Sequence, residues 1–307
     1  DTGFPIIHSI NTSDGLQLDS FQYDMETPIS NVAISDDGNV IVVGDRKSGI
    51  DSENSGVVYI FVKDGDHWGV EQEGTYIETY KIATLQREGQ EGAEFGCSVD
   101  ISEDGNTIVV GSYKYNYQKG AVYIFEKNGD YWGVEQDQSY YTETQKIEDG
   151  HNPGNRSDHF GYKVAISRDT IAVGAPDYDY DSYTNRGAID IFEKGQTQWE
   201  EKQRIVAQHP SANANMHFGK SFDISGNTIV ASKRSNSKIA YIFEKNSDGF
   251  WGIQDNEIYI ETQQITSDYL LEEEHKFGES ISIREDVIVV GAPEYLSLIH
   301  ISEPTRR

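Results

Sequence analysis

FGCSVDISEDGNTIVVGS, residues 95–112, sets two short apolar runs around a polar turn. SVDI and TIVVG are rich in β-branched residues, and the EDGN between them supplies the side chains and the glycine that a tight turn with positive φ needs. The stretch therefore predicts a β-hairpin. The outline returns four times: SNVAISDDGNVIVVGD from Ser30, FGYKVAISRDTIAVGAP from Phe160, FGKSFDISGNTIVASK from Phe218 and FGESISIREDVIVVGAP from Phe277.

A second block follows each of the first four copies, as GVVYIF to Phe61, GAVYIF to Phe125, GAIDIF to Phe192 and KIAYIF to Phe243. Trp68, Trp132, Trp199 and Trp251 come next at a near-constant offset, and then a more polar strand around TYKIA, TQKIE, KQRIV or TQQIT. The phenylalanines at 95, 160, 218 and 277 are 65, 58 and 59 residues apart. That period is too long for leucine-rich or helical-hairpin repeats and suits four strands with their loops, which is one propeller blade. Helical periodicity is absent. The expected fold is all-β: a β-propeller of four-stranded antiparallel blades, incomplete, with about four full blades and part of a fifth. The propeller is expected to span 1–295, with blades starting near 29, 95, 160, 218 and 277 and with 1–28 as lead-in. The stretch from Phe4 to Ile10 is a candidate ring-closing strand. Within a blade, the strands after Phe-Gly and before Gly-Ala-Pro should be innermost and buried on both faces, and the strand after the tryptophan outermost and most polar.

The recurring Phe-Gly, with Gly-Ala-Pro some fifteen residues later, resembles the FG-GAP repeat, the blade unit of integrin α-subunit heads and of many extracellular proteins. Phe-Gly stands at Phe95 and Gly96, Phe160 and Gly161, Phe218 and Gly219, and Phe277 and Gly278. Gly-Ala-Pro is intact at 174–176 and 291–293 and decays to Gly44 and Asp45, Gly111 and Ser112, and Ala231 and Ser232. In such repeats the phenylalanine should fill the wedge between blades, and the glycine should allow backbone contact where a Cβ would clash. The resemblance implies closed rings usually of seven blades. Integrin-type repeats carry a DxDxDG calcium loop between the two motifs; SEDGNT, SRDT and SGNT are too short to wrap an ion, so those calcium sites are not carried over.

The chain of 307 residues has 25 Lys and Arg against 52 Asp and Glu, a net charge of −27. Such a charge repels nucleic acid and anionic membranes, so neither is an expected partner. Cys97 is the sole cysteine, and no internal disulfide can form. No apolar run is long enough to span a membrane. The chain begins at Asp1 with no signal-peptide pattern, which reads as a processed or partial N-terminus.

One loop stands out as a metal candidate. In PDYDYDSYTNRG, Asp177, Asp179 and Asp181 alternate with tyrosines, so an extended backbone would project three carboxylates to one side, which suits Ca²⁺. The stretch lacks the glycine and distal Glu of an EF-hand loop, and a solvated acidic loop is the competing reading. Ca²⁺ is the only cofactor suggested. Tyr113, Tyr115, Tyr117, Tyr178, Tyr180 and Tyr183 crowd the same loops and offer either a recognition surface or packing on the blade top. The tryptophans read as strand staples. His159, His217 and His275 recur just before Phe-Gly; equivalent positions in separate blades should lie too far apart to share one metal unless they ring the axis, so they read as loop residues.

No GxSxG, HExxH or phosphate-loop motif is present, so the expectation is a protein that is not an enzyme. The leading reading is an extracellular or cell-surface binding module for a protein or glycan. The alternatives are a structural subunit of a cell-surface coat or extracellular appendage, packing with copies of itself, and a propeller lyase or hydrolase acting at the central channel. Sequons at Asn11 and Asn155 are compatible with secretion. After Tyr295 the repeat gives way to LSLIHISEPTRR, which resembles a translated sequencing adapter, so 296–307 is read as artefact.

Overall fold

The computed structural model describes residues 32–47, 55–72, 75–83, 92–137, 140–150, 157–180, 184–206, 215–233, 239–255, 258–266, 277–292 and 300–302. The Phe4–Ile10 strand, both sequons' asparagines, Asp181, Tyr183 and His275 lie outside these residues.

Four antiparallel four-stranded blades follow one another. Blade one is Val32–Ile34, Val40–Asp45, Val57–Asp64 and Tyr80–Ala83. Blade two is Ser98–Ile101, Thr107–Ser112, Ala121–Asn128 and Gln145–Glu148. Blade three is Val164–Ser167, Thr170–Ala175, Ala188–Lys194 and Trp199–Ile205. Blade four is Ser221–Ser225, Thr228–Ser232, Ile239–Glu244 and Gln263–Thr266. A fifth sheet pairs Ser280–Arg284 with Val287–Gly291, and Val287–Gly291 with His300–Ser302. This is the β-propeller that the repeat predicts, in the expected strand order.

Alternation along each strand decides which neighbour a side chain meets. Val40, Val42, Val58 and Ile60 of blade one pack with Phe95, Val99, Ile108, Val110, Tyr123 and Phe125 of blade two in one buried cluster. Val109, Val122 and Ile124, pointing the other way from blade two, join Phe160, Val164, Ile171 and Val173 of blade three. Two further clusters repeat this at the next junctions. Every middle blade is thus apolar on both faces, which explains its nearly continuous hydrophobic strands. Each fully buried Val, Ile or Phe contributes roughly 1.5–3 kcal/mol, so a blade holds its shape chiefly because its neighbours cover it.

The two motifs meet at these junctions. A Cβ on Gly111 would come 2.1 Å from the carbonyl oxygen of Gly161, and Gly44 and Gly174 have the same relation to Gly96 and Gly219. Gly120 and Gly187, which open the third strands, lie equally close to the backbones of Phe160 and Phe218. Backbone touches backbone there, and the absent side chain is the reason for the glycine. Blade four departs from the expected alignment. Ser232 pairs with Ala240 as Gly174 pairs with Ile189, so Ser232 and not Ala231 takes the glycine's place. Its hydroxyl donates to the Gly278 carbonyl at 2.6 Å.

The first strands lie side by side around the axis, and their turns bond to one another. Asp36 N–H donates to the Glu103 carbonyl, Ser167 Oγ to the Glu103 carboxylate, Gly226 N–H to Ser167 Oγ, and Glu285 N–H to Ser225 Oγ. Arg284 then reaches Asp36 at 3.0 Å, joining the fifth sheet's turn to that of blade one.

The tryptophans are staples, though not equally. Trp68 and Trp132 donate their indole N–H to the turn carbonyls of Gly38 and Gly105, each at 3.0 Å. Blades three and four have first turns two residues shorter, SRDT and SGNT, and among the described residues the indole nitrogens of Trp199 and Trp251 are buried without a partner. The expected Trp loop also contains structure. In blades one, two and four it folds into a separate two-stranded ribbon: Val70–Gln72 with Thr75–Ile77, Val134–Asp137 with Tyr140–Thr142, and Ile253–Asp255 with Ile258–Ile260. Blade three, several residues shorter here, runs directly from Trp199 into its outer strand.

Candidate functional site

The residue before Phe95, Phe160 and Phe218 turns the chain so that the phenylalanine enters the wedge. Glu94, His159 and His217 all sit in the left-handed region, at φ 53°, 55° and 48°. Their carbonyls accept from Cys97, Tyr162 and Lys220 three residues on. A non-glycine residue costs about 1–2 kcal/mol in this conformation, and these three share another property: each points a polar side chain into the groove between blades.

In the first groove Glu94 is bound by Arg46 of blade one at 2.9 Å and by Lys114 of blade two at 2.5 Å. Burial, reinforced by Glu94, holds the Tyr113 phenol well above its ordinary range. The ring of Tyr113 stands edge-on to His159, 5.2 Å between centres. His159 Nδ1 meets Asp177 Oδ2 at 2.5 Å, and His217 Nδ1 meets Asp177 Oδ1 at 2.7 Å. One carboxylate therefore joins the approaches to Phe160 and Phe218. Burial alone would raise the Asp177 carboxyl; hydrogen bonds from both histidines and their charges outweigh it and hold the group well below the usual carboxylate range.

His159 Nε2 also touches Gln118 Oε1 at 3.1 Å. Gln118 closes a turn, Tyr115–Gln118, in which Asn116, Tyr117 and Gln118 are all left-handed at φ 48°, 58° and 67°. Three consecutive residues of this kind, none of them glycine, form a strained turn. It is fixed from several sides: Gly120 N–H donates to the Tyr115 carbonyl, His159 N–H to the Gln118 carbonyl, and Lys146 Nζ to the Tyr115 hydroxyl at 2.9 Å. At its tip Tyr117 is 87 % exposed.

The other tyrosines of the expected surface have packing roles. Tyr113 is buried, Tyr115 lies edge-on to Tyr123, Tyr178 lies under Arg204 at 4.1 Å and Tyr180 under Arg186 at 5.3 Å. Arg204 is in turn held by both oxygens of Asp190.

The three aspartates of the calcium reading occupy different situations. Asp177 has both oxygens on imidazoles, Asp179 accepts from Asn185 N–H at 2.8 Å, and Asp181 is outside the described residues. Among the described residues no group of three or more His, Cys, Asp or Glu is disposed to hold a metal ion. His159 and His217, from successive blades, share a partner, because each projects towards the Asp177 carboxylate that follows Gly-Ala-Pro. A signal existed in the sequence, since a polar residue precedes every Phe-Gly.

A second group of charges lies near the axis. Asp100, on the first strand of blade two, accepts from Ile166 N–H of blade three at 2.7 Å and from Ile101 N–H. Asp223, on the first strand of blade four, does the same for Ile283 N–H of the fifth sheet at 2.9 Å. Burial pushes the Asp100 carboxyl up to about 7, opposed by the positive charge of Lys163 and assisted by the negative charge of Asp223.

Stacked four-stranded blades around an axis, with backbone contacts between the Phe-Gly glycine and the glycine near the end of the second strand at three junctions, define a β-propeller of repeated blades. Two of its repeats match the FG-GAP repeat model, over residues 85–125 and 141–192. No curated protein matches the chain. No helix among the described residues is long and apolar enough to cross a membrane.

Proposed function

We propose that the chain is an extracellular, non-enzymatic binding module that recognises a protein or glycan through the loop face carrying Tyr117. The observation that carries this reading is the left-handed Tyr115–Gln118 turn: strain of this kind persists where the surrounding structure over-determines it, and here it presents one aromatic ring to solvent. An exposed tyrosine offers rigid, amphipathic contact area at low entropic cost. The network from Arg46 through Glu94, Tyr113, His159 and Asp177 to His217 fixes the grooves beside it across four blades. FG-GAP repeats occur in many extracellular proteins, which supports the location.

Glycan and cell-surface-protein arrays probed with the wild-type chain and with Tyr117→Ala test it. Features bound by the wild type and lost in the variant are expected; an unchanged binding pattern would overturn the reading.

A further inference from the structure

Residues 112–120, SYKYNYQKG, carry two lysines and no carboxylate in a chain whose net charge is −27. The segment leads from Thr107–Ser112 into Ala121–Asn128 and contains the left-handed turn. The carboxylates linked to that turn are each engaged: Glu94 by Arg46 and Lys114, Asp177 by two imidazoles, and Glu148 by Lys146 at 2.6 Å. What remains on the turn is donors. Among the described residues the Lys119 ammonium, the Asn116 amide and Gln118 Nε2 have no partner, and they flank the exposed ring of Tyr117. Gln118 is exposed, and Asn116 and Lys119 are half-buried. The backbone beneath them is held, because Gln118 N–H donates to the Lys114 carbonyl at 3.2 Å and Phe160 N–H to the Lys119 carbonyl at 3.1 Å. These donors are therefore presented without the ordering cost of a loose loop.

Size and charge point to the class of ligand. A stable protein partner needs about 800 Å² on each side, whereas Tyr117 is the only exposed large hydrophobic residue among the described loop residues of this face. One ring matches one sugar unit, whose C–H face is apolar and whose hydroxyls accept from neighbouring amides. The unpaired ammonium beside it complements a negative charge. At physiological salt the protein's overall negative charge is screened beyond about 8 Å, so a short ligand meets these donors and not the distant carboxylates.

We propose that the Tyr115–Gln118 turn, with Lys119, is a subsite for a carboxylated sugar, a uronic acid unit of an acidic oligosaccharide. The sugar's apolar face packs on the Tyr117 ring, its carboxylate pairs with Lys119, and its hydroxyls accept from Asn116 and Gln118. The inference rests on the binding role proposed for this loop face and narrows its ligand to an anionic glycan.

Calorimetry on the whole chain tests this with a hexamer of galacturonic acid, the same hexamer with its carboxylates methyl-esterified, and hexaglutamate, which carries similar charge on a peptide. The acidic hexamer should bind the wild type about tenfold or more tightly than either of the others. Its affinity should fall about tenfold in K119Q and further in Y117A, while Y117F, which keeps the ring, should retain it. Unchanged melting temperatures of the variants separate these losses from unfolding. Equal affinity for the acidic and esterified hexamers, tighter binding of hexaglutamate, full affinity in K119Q or no binding of the acidic hexamer would overturn the assignment. Array features that are neutral glycans or proteins and are lost in Tyr117→Ala would also overturn it while leaving the loop-face reading in place; an array pattern unchanged by Tyr117→Ala removes both.

Discussion

Gln203 grips the backbone of Trp251 at both ends: its Nε2 donates to the Trp251 carbonyl at 2.9 Å, and its Oε1 accepts from the Trp251 N–H at 2.8 Å. Gln145 holds Trp199 in the same way, at 2.9 and 2.7 Å. In both cases a glutamine on the outer strand of one blade clasps the tryptophan of the next. Blade one has Tyr80 at this place, and its ring stands edge-on to Trp132 instead. The outermost strands, which look merely polar, thus join the blades at the rim.

Gln203→Ala should therefore cost more than a surface truncation. It deletes two hydrogen bonds and leaves both backbone groups of a buried tryptophan without partners, a loss of about 2–3 kcal/mol. Thermal denaturation measures it. Gln203→Glu, which can accept but not donate, should fall between the two, and a change within about 0.5 kcal/mol for the alanine variant would mean that the clasp is replaced by water.

Trp132 and Trp251 are almost equally buried, yet only Trp132 has an indole partner. Trp132→Phe should accordingly destabilise by about 1 kcal/mol more than Trp251→Phe, the value of one net hydrogen bond. Denaturant unfolding of the two single variants is the comparison. Equal losses would show that the Gly105 carbonyl contributes nothing to the staple.

Gly111→Ala and Gly129→Ala separate two reasons for glycine. Gly129 has φ 69° and open space around its Cβ position, so alanine there should cost about 1 kcal/mol, from backbone strain alone. Gly111 has no such φ, but alanine would strike the Gly161 carbonyl of the next blade and must push two blades apart. A loss of roughly 3 kcal/mol or more, read by chemical denaturation, is expected at Gly111.

Asp100 gives stability an unusual pH dependence. Its folded-state pKa, raised by burial to about 7, means that the folded chain holds this proton more tightly than the unfolded one. The contribution is complete below the ordinary carboxyl range and disappears as pH rises towards and past 7. Asp100→Asn should thus be more favourable relative to wild type at about pH 8 than at about pH 5. Melting temperatures across that range would show it; a constant difference would mean that Lys163 keeps the carboxylate charged throughout.

Asp177 has the opposite sign. Its depressed carboxyl stabilises the fold above the ordinary carboxyl range and loses that contribution as pH falls further. Asp177→Asn should cost about 2 kcal/mol at neutral pH, as charge-assisted bonds to two histidines are lost, and much less in strong acid. An unchanged gap between the variant and wild-type acid-denaturation curves would remove the carboxylate from this role.

Blade order, strand order and the two-sided core were legible because these properties recur. VYIF and TIVVG are apolar on both faces wherever they occur, and the phenylalanines mark their spacing. The Asp177 cluster was not, because its members are 18 and 40 residues apart and only the arrangement of blades brings them to one groove. Tyrosines 113, 115 and 117 look alike in sequence and separate only in three dimensions, where a left-handed turn buries one, half-buries the next and exposes the last. The glutamine clasp was hidden for a related reason: a polar strand signals solvent, and nothing local to Gln203 indicates the backbone it holds.

The contact between Gly111 and the Gly161 carbonyl has its counterpart in Gly44 with Gly96 and in Gly174 with Gly219. Since one rule joins these three pairs of neighbours, none of the three junctions records its own place in the series, and only the fourth is marked, by Ser232. A gene that copied or dropped such a unit would present compatible faces at the new joint, so blade number is free to drift by duplication while each joint remains intact.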